Sequence, residues 1–579
     1  MAETYIEGLT GGPLKKFFRL LALEKEDIAL VYVYAVVSGF ISLSLPLGIQ
    51  AIMSLVTAAR VSSSLIVLIV VVLLGIVISS GMQIMQYTII ERLQQRIFTR
   101  ATFEFAYRIP RIKLESLIKE YAPELMNRFF DIMTIQKGLP KLIVDLSASL
   151  LQILFSLILL AFYHPIFAFY GVLVVVVIIV LFRFTAEKGL ETSLKESKYK
   201  YMVAHWLEEL SRSMNIFKLA GYTDMPINHT DDLVSNYLDA RQKHFKVLIT
   251  QYRYIVLFKL LITGGLLIIG SALVVNKQIN LGQFVASEII IILILNSVEK
   301  LFSGIETIYD VLTGVEKISN VTQKEIESEA GLSFEEVDNG KGVKIEFRNV
   351  SYGYAINQHT ALKNLNLVVE SGQKICVAGF AASGCSTLIN LSASLLHDYE
   401  GTILVNDVML KNMNLMSLRS YVGENLTQNE IMNGTITENI SMGRDDISFK
   451  DVLEASEIVG LKRFVEGFPK GFDTHIVQND ITVPFSIAAK INLARSVAEK
   501  PRLFVMDQPL QHLDKKDKES ISEFLTGKDK PWTLIVATND IAMAKRCDKI
   551  VVLQEGKVID EGTFEEISNK PYSSELFET

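Results

Sequence analysis

The sequence predicts a two-part protein: a helical membrane half of six spans, followed by an α/β half organised around a phosphate-binding loop. Three observations carry this. Apolar runs of about 20 residues, each long enough to cross about 30 Å of hydrocarbon as a helix, stop before residue 305 of the 579-residue chain. From Val343 onward, short β-type runs alternate with helical ones, the pattern of an α/β domain. Within that half, Gly379-Phe-Ala-Ala-Ser-Gly-Cys-Ser-Thr387 follows a strand-like segment, Lys374–Ala378, and opens a helix-like one, Leu388–Leu396.

Composition narrows the class. Half of the residues are apolar and the formal net charge is −7, so no nucleic-acid partner is expected. The three cysteines, Cys376, Cys385 and Cys547, lack metal-ligand spacing and fit a reduced, cytosolic setting. Met1–Pro13 is short and mixed, not the apolar core of a cleavable signal peptide.

Leu14–Glu24 carries a basic and an apolar face and reads as an interfacial helix on the membrane, within an N-terminal region 1–27. The six spans run roughly 28–52, 64–90, 142–163, 165–184, 254–275 and 281–303. Connections after spans one, three and five are short and nearly uncharged: 57–60, His164-Pro165 and Asn276–Asn280. Those after spans two and four are long and basic, with Arg92, Arg96, Arg100, Arg108 and Arg111 in one and Lys188, Lys195, Lys198 and Lys200 in the other. The positive-inside tendency makes the long connections cytoplasmic, together with both termini and the α/β half. Their helical periodicity, as in Tyr87–Phe105, predicts helices that project well beyond the bilayer. Ionisable groups inside spans are costly and are functional candidates. Glu288 in span six either lines a polar cavity or hydrogen-bonds an Asn or Ser of a neighbouring helix. Lys259 in span five lies on the order of 15 Å away in depth, too far for a direct pair, and can snorkel.

Gln323–Gly342 is acidic, contains glycine and has no apolar period, so it reads as a linker. The expected organisation is therefore 1–27, a transmembrane domain 28–322, a linker 323–342 and a nucleotide-binding domain 343–579. Strands are expected at Val343–Phe347, Ile375–Ala378, Leu503–Met506, Leu534–Ala537 and Ile550–Leu553.

The central loop keeps every element of G-x-x-x-x-G-K-[ST] except the lysine, whose place Cys385 takes. A thiol with a pKa of about 8.5 is mostly neutral at pH 7 and too short to reach a β- or γ-phosphate. The loop thus keeps the shape of a nucleotide site without its main charge.

Six spans with two long cytoplasmic extensions, a linker and a phosphate-loop domain resemble a half-transporter of the ATP-binding cassette (ABC) exporter family over essentially the whole chain. Leu43–Ile52, Asn127–Lys137 and Ile216–Gly221 look most like the protein-exporting, type I secretion branch. The short stretch ahead of span one leaves no room for the cysteine-peptidase domain of some relatives. Such transporters dimerise, with two nucleotides held between each phosphate loop and the signature segment of the opposite subunit.

Carried over by position, the resemblance places Tyr354 as the aromatic that stacks on adenine. Gly379, Gly384, Ser386 and Thr387 are the nucleotide-binding loop, and Ser386 and Asp507 are the Mg²⁺ contacts. Ala382 stands where the family usually has glycine. The metal-binding glutamine falls on Thr427, with Gln428 one residue late. The signature Leu-Ser-Gly-Gly-Gln reads Val483-Pro484-Phe485-Ser486-Ile487, the catalytic glutamate is Gln508, and the switch histidine is Asn539. Phe485 adds bulk and Pro484 removes an N–H donor where a helix start should meet a γ-phosphate. An amide at 508 holds a water but cannot take its proton. Such clamps and donors contribute a few kcal/mol each to a barrier, so the expectation is a folded pseudo-ATPase domain that binds ATP and Mg²⁺ weakly or not at all. The resemblance then implies an impaired exporter subunit in a bacterial inner membrane, paired with an ATP-hydrolysing half-transporter. A polypeptide cargo, a periplasmic adaptor and an outer-membrane channel would accompany it. The alternative is a homodimeric scaffold or regulator without ATP turnover.

Overall fold

The computed structural model describes residues 12–57, 63–117, 122–354, 359–426, 430–477 and 483–577. It divides into two compact units, Met1–Pro110 with Tyr121–Lys324, and Arg111–Glu120 with Glu325–Thr579.

In the first unit, five helical segments are long and apolar enough to cross a membrane: Lys25–Val56, Ser63–Arg111, Leu125–Tyr163, Met225–Val275 and Leu281–Thr322. A sixth apolar stretch, Pro165–Val180, opens the 48-residue helix Pro165–Arg212. The expected extensions are present as continuous helix. Ser63–Arg108 runs 46 residues and Met225–Val275 runs 51, about 70 Å or more at 1.5 Å per residue and well over twice the hydrocarbon thickness. Local chemistry explains several ends. His164 Nδ1 accepts the Ile166 N–H (3.2 Å), and Pro165 takes the first helical position, where its missing N–H is harmless. Asn280 and Gln283 form a reciprocal capping box at the start of Leu281–Thr322. The connection at 58–62 lies outside the described residues.

The first span departs from the sequence reading. It is two helices, Lys25–Ser42 and Ser44–Thr57. Pro46 cannot donate to the Ser42 carbonyl and its ring crowds that group, which interrupts the ladder at Leu43. In the helix Pro13–Ala22 one basic residue turns inward. Lys16 is buried, its Nζ donating to Glu316 (2.8 Å) and Ser319 Oγ (2.7 Å), whereas Lys15, Arg19, Leu14 and Phe18 stay exposed. Arg96 donates to Glu24 (2.8 Å) and pairs with Asp27, and Arg100 also pairs with Glu24.

The second unit contains β1 (Ile345–Tyr354), β2 (His359–Val369), β3 (Lys374–Gly379), β4 (Glu400–Val405), β5 (Val408–Met409), β6 (Val422–Asn425), β7 (Gly434–Thr435), β8 (His475–Ile476), β9 (Leu503–Asp507), β10 (Thr533–Ala537), β11 (Lys549–Gln554) and β12 (Lys557–Gly562). The expected strands are β1, β3, β9, β10 and β11. An antiparallel sheet runs β2-β1-β4-β5, and the main sheet runs β12-β11-β3-β10-β9-β6, parallel except for its β12 edge. Its central strands are apolar throughout because both faces are covered. Alternate residues enter opposite cores: Cys376, Ala378, Phe504, Met506, Leu534 and Val536 one, Ile375, Val377, Leu503, Val505, Ile535 and Ala537 the other.

Residues 325–342, which lack an apolar period, are joined to this unit by a few specific contacts. Phe334 is fully buried and meets the Tyr421 ring at 4.8 Å. Leu332 bridges Met413, and Arg419 donates twice to Glu327, at 2.5 and 2.8 Å. Arg111–Glu120 joins the same unit through Glu115, which accepts the backbone N–H groups of His397 and of Asp398 (3.3 Å for the latter). Burial alone would raise the Glu115 carboxyl, but the hydrogen bonds centred on His397 outweigh it and hold the group down at about 2, against an ordinary 4.5. A depressed folded-state value means stability that is present above pH 4.5 and lost as pH falls toward 2. Glu115→Gln should therefore remove on the order of 2–3 kcal/mol at neutral pH and flatten the acid limb of stability, as followed by thermal denaturation of the full chain across that range.

Candidate functional site

The parallel strands β3, β9 and β10 end side by side, and their carboxyl ends open onto the crevice where α/β sheets bind ligands. A cavity of about 710 Å³ lies there, lined among others by Tyr354, Gly379, Cys385, Asp507, Gln508 and Asn539. The structure thus brings together sequence candidates spread over nearly 190 positions. Beyond β3, the loop turns through Ala382 (φ +60°) and Gly384 (φ +99°) into the helix Cys385–Ser392. At Ala382, a side chain in the left-handed region costs about 1 kcal/mol that glycine would not. At Gly384 a Cβ would lie 2.5 Å from the Ala361 carbonyl oxygen, so glycine is required. The loop therefore keeps the backbone turn that aims a helix N-terminus at a phosphate.

Its side chains are turned toward one another. Cys385 is half-buried, with Sγ 3.2 Å from Ser383 Oγ. Burial, aided by the Asp507 charge and opposed by the Ser383 hydrogen bond, pushes its thiol up to about 11, so it is neutral at pH 7. Thr387 is buried, and its Oγ1 lies 3.2 Å from the Tyr354 hydroxyl. The Tyr354 ring stands edge-on to Tyr352 at 5.1 Å. Ser386 remains exposed at the cavity edge.

Asn539 forms a two-point clasp on the first residue of the loop. Its Nδ2 donates to the Gly379 carbonyl (3.2 Å), and the Gly379 N–H donates to its Oδ1 (3.3 Å). Gln508 is exposed and sits at φ +46°, its own N–H donating to the Ala537 carbonyl (2.8 Å). Asp507 is the one charged side chain among the described residues that line the cavity. The nearest lysine in β3, Lys374, is at the strand's other end, where its Nζ donates to the carbonyls of Gly372, Lys530 and Trp532 at 2.7, 2.9 and 3.0 Å.

The signature-equivalent residues are not part of this cavity. Pro484 caps the helix Phe485–Ala498 without a side-chain hydrogen bond. Val483 and Ile487 pack partly against the core, Ser486 is half-buried, and Phe485 is 69% exposed with its ring 6.0 Å from that of His512. Thr427 and Gln428 lie outside the described residues. In the first unit, Glu288 Oε1 is buried and takes no hydrogen bond among the described residues, from Asn, Ser or any other group. Lys259 pairs with Glu299, a residue that the sequence reading did not single out. That reading also missed the Asn539 clasp and Ser383. Nothing in the pattern links residues 379 and 539.

The clasp makes a measurable claim about the loop. Asn539→Ala removes two hydrogen bonds, each contributing about 1 kcal/mol, and should speed amide hydrogen exchange across 379–384 by roughly tenfold or more while leaving β9 protected.

Comparison with known proteins agrees with this geometry. Residues 28–298 match the family described as ABC transporter transmembrane region, and residues 362–511 match the family described as ABC transporter. An uncharacterized ABC transporter ATP-binding protein of Bacillus subtilis, YfiC, is 25% identical over 98% of this chain and 94% of its own length. An ATP-dependent lipid A-core flippase of Legionella pneumophila is 26% identical over 52% of this chain, which spans only 52% of that relative. The solved structure of a bacterial Atm1-family ABC exporter with ATP bound superposes with a TM-score of 0.82 at 17% identity, over 95% of this chain and 98% of that one, and so shares its fold. The chain belongs to the ABC exporters, as a multi-pass half-transporter with a helical transmembrane domain followed by an α/β nucleotide-binding domain.

Proposed function

We propose that this chain is the non-hydrolysing subunit of an ABC-type exporter and works with a partner half that hydrolyses ATP. The carrying observation is the chemistry of the cavity. It offers the turn and helix N-terminus of a nucleotide loop, but one carboxylate and no cation among its described lining residues. The residues present fit the shape of Mg·ATP better than its charge. Tyr354 is placed beside the loop, and Ser386 and Asp507 could hold the metal, which when bound would neutralise phosphate charge. Cys385, Thr387 and Asn539 are engaged within the protein, and Gln508 cannot accept a proton from water. No hydrolytic step follows from such a set, so this domain's proposed contribution is to complete a dimer.

The proposed cargo is a polypeptide, with a periplasmic adaptor and an outer-membrane channel as companions and the bacterial inner membrane as location. This rests on the resemblance of 43–52, 127–137 and 216–221 to protein-exporting transporters. A second cargo reading, a lipid-like molecule, is favoured by the lipid A-core flippase relative. An apolar recess of about 700 Å³ in the first unit, with Phe40, Leu47, Leu74, Phe155 and Phe162 in its wall, supports the same reading.

Two measurements test the subunit reading. The purified full chain should hydrolyse ATP no faster than a protein-free control, and a turnover typical of exporters would overturn the proposal. Pull-down from the native membrane should recover an equimolar half-transporter with intact lysine, glutamate and signature. Recovery of this chain alone would instead support a homodimeric scaffold or regulator. Glu288→Gln keeps the shape and removes the charge at a site where Oε1 has no hydrogen-bond partner among the described residues, so transport should fall while co-purification of the partner is unchanged.

A further inference from the structure

Resting on the reading of this cavity as non-hydrolysing, we infer that it takes a nucleoside mono- or diphosphate in preference to ATP. The argument is electrostatic and local. A phosphate loop ordinarily gains with each added phosphate because its lysine and backbone N–H groups answer the added charge. Here the loop backbone and the start of the helix Cys385–Ser392 still supply N–H groups and a partial positive end for the inner phosphates. Among the described lining residues no cation answers the outermost charge. Cys385 puts a short side chain, its sulfur held against Ser383, where an ammonium would reach a phosphate, and the ammonium of Lys374 is held by three carbonyls at the far end of β3. Asp507 faces the same space as a like charge.

Contacts to base and ribose are common to AMP, ADP and ATP. The order among them is therefore set by what each extra phosphate meets. Without a cation, each extra charge approaches Asp507 in a half-enclosed site where charges interact far more strongly than in water. Cys385 is then the specificity-determining position. The sign of the charge there, rather than the shape of the loop, decides how many phosphates are favoured.

The test is isothermal titration of the full chain in detergent with AMP, ADP and ATP, with EDTA present so that no metal offsets the charge. ATP should bind at least about tenfold more weakly than AMP or ADP. Cys385→Lys should make ATP the tightest of the three. Asp507→Asn, which adds no bulk, should strengthen ATP binding more than AMP binding and serves if the lysine variant does not fold. ATP as the tightest ligand of the natural chain, an order unchanged in both variants, or no binding of any of the three would overturn the inference. Each of those results leaves the absence of hydrolysis standing, whereas ATP turnover would overturn the proposed function and remove the premise of this inference.

Discussion

The packing of β3 between β10 and β11 constrains almost everything else in the second unit. Its side chains alternate into two separate cores, Cys376 and Ala378 into one, Ile375 and Val377 into the other. A one-residue slip would exchange the two sets and clash with both. The register Ile375–Ile535 and Cys376–Ile550 is therefore held from two sides. Because β3 cannot move, Val377 stays level with Ala537 and Asp507, Gly379 stays level with Leu553, and the crevice above these strand ends exists whatever side chains line it. This is how a nucleotide-shaped cavity persists with Cys385, Gln508 and Asn539 in it.

Within that frame, the altered positions are fitted into the protein rather than left idle. A buried or half-buried donor without a partner costs about 1–3 kcal/mol, and the loop avoids this internally. Asn539 serves both backbone groups of Gly379, Ser383 meets the Cys385 sulfur, and Tyr354 meets Thr387. An amide suits the first task better than an imidazole, since it presents a donor and an acceptor side by side in one plane. The result is a cradle closed on its own polar groups.

The transmembrane unit obeys a related rule. Charges near its helices are paired by neighbours distant in sequence: Lys16 with Glu316, Lys259 with Glu299, and Arg241 with Glu196 (3.2 Å). Glu288 Oε1 stands apart from this pattern, which is why it draws a functional reading. The break at Pro46 shows the complementary case, where one missing N–H decides the geometry of an otherwise apolar span.

Sequence by itself determined the fold class, because hydrocarbon thickness sets the length of apolar helices and double-sided burial makes parallel strands continuously apolar. It determined the long projecting helices, the five strands expected in the main body of the α/β half, and the residue types at the phosphate loop, since these are local patterns with local physics. Only the tertiary structure decided that 111–120 and 325–342 belong to the second unit, because Glu115 and Phe334 are held by residues such as His397 and Tyr421 that no periodicity connects to them. It likewise decided that Asn539 closes on Gly379 and that Lys374 cannot stand in for the missing lysine. Both depend on which strand ends lie side by side, and that follows from sheet order and register rather than from any stretch of sequence read alone.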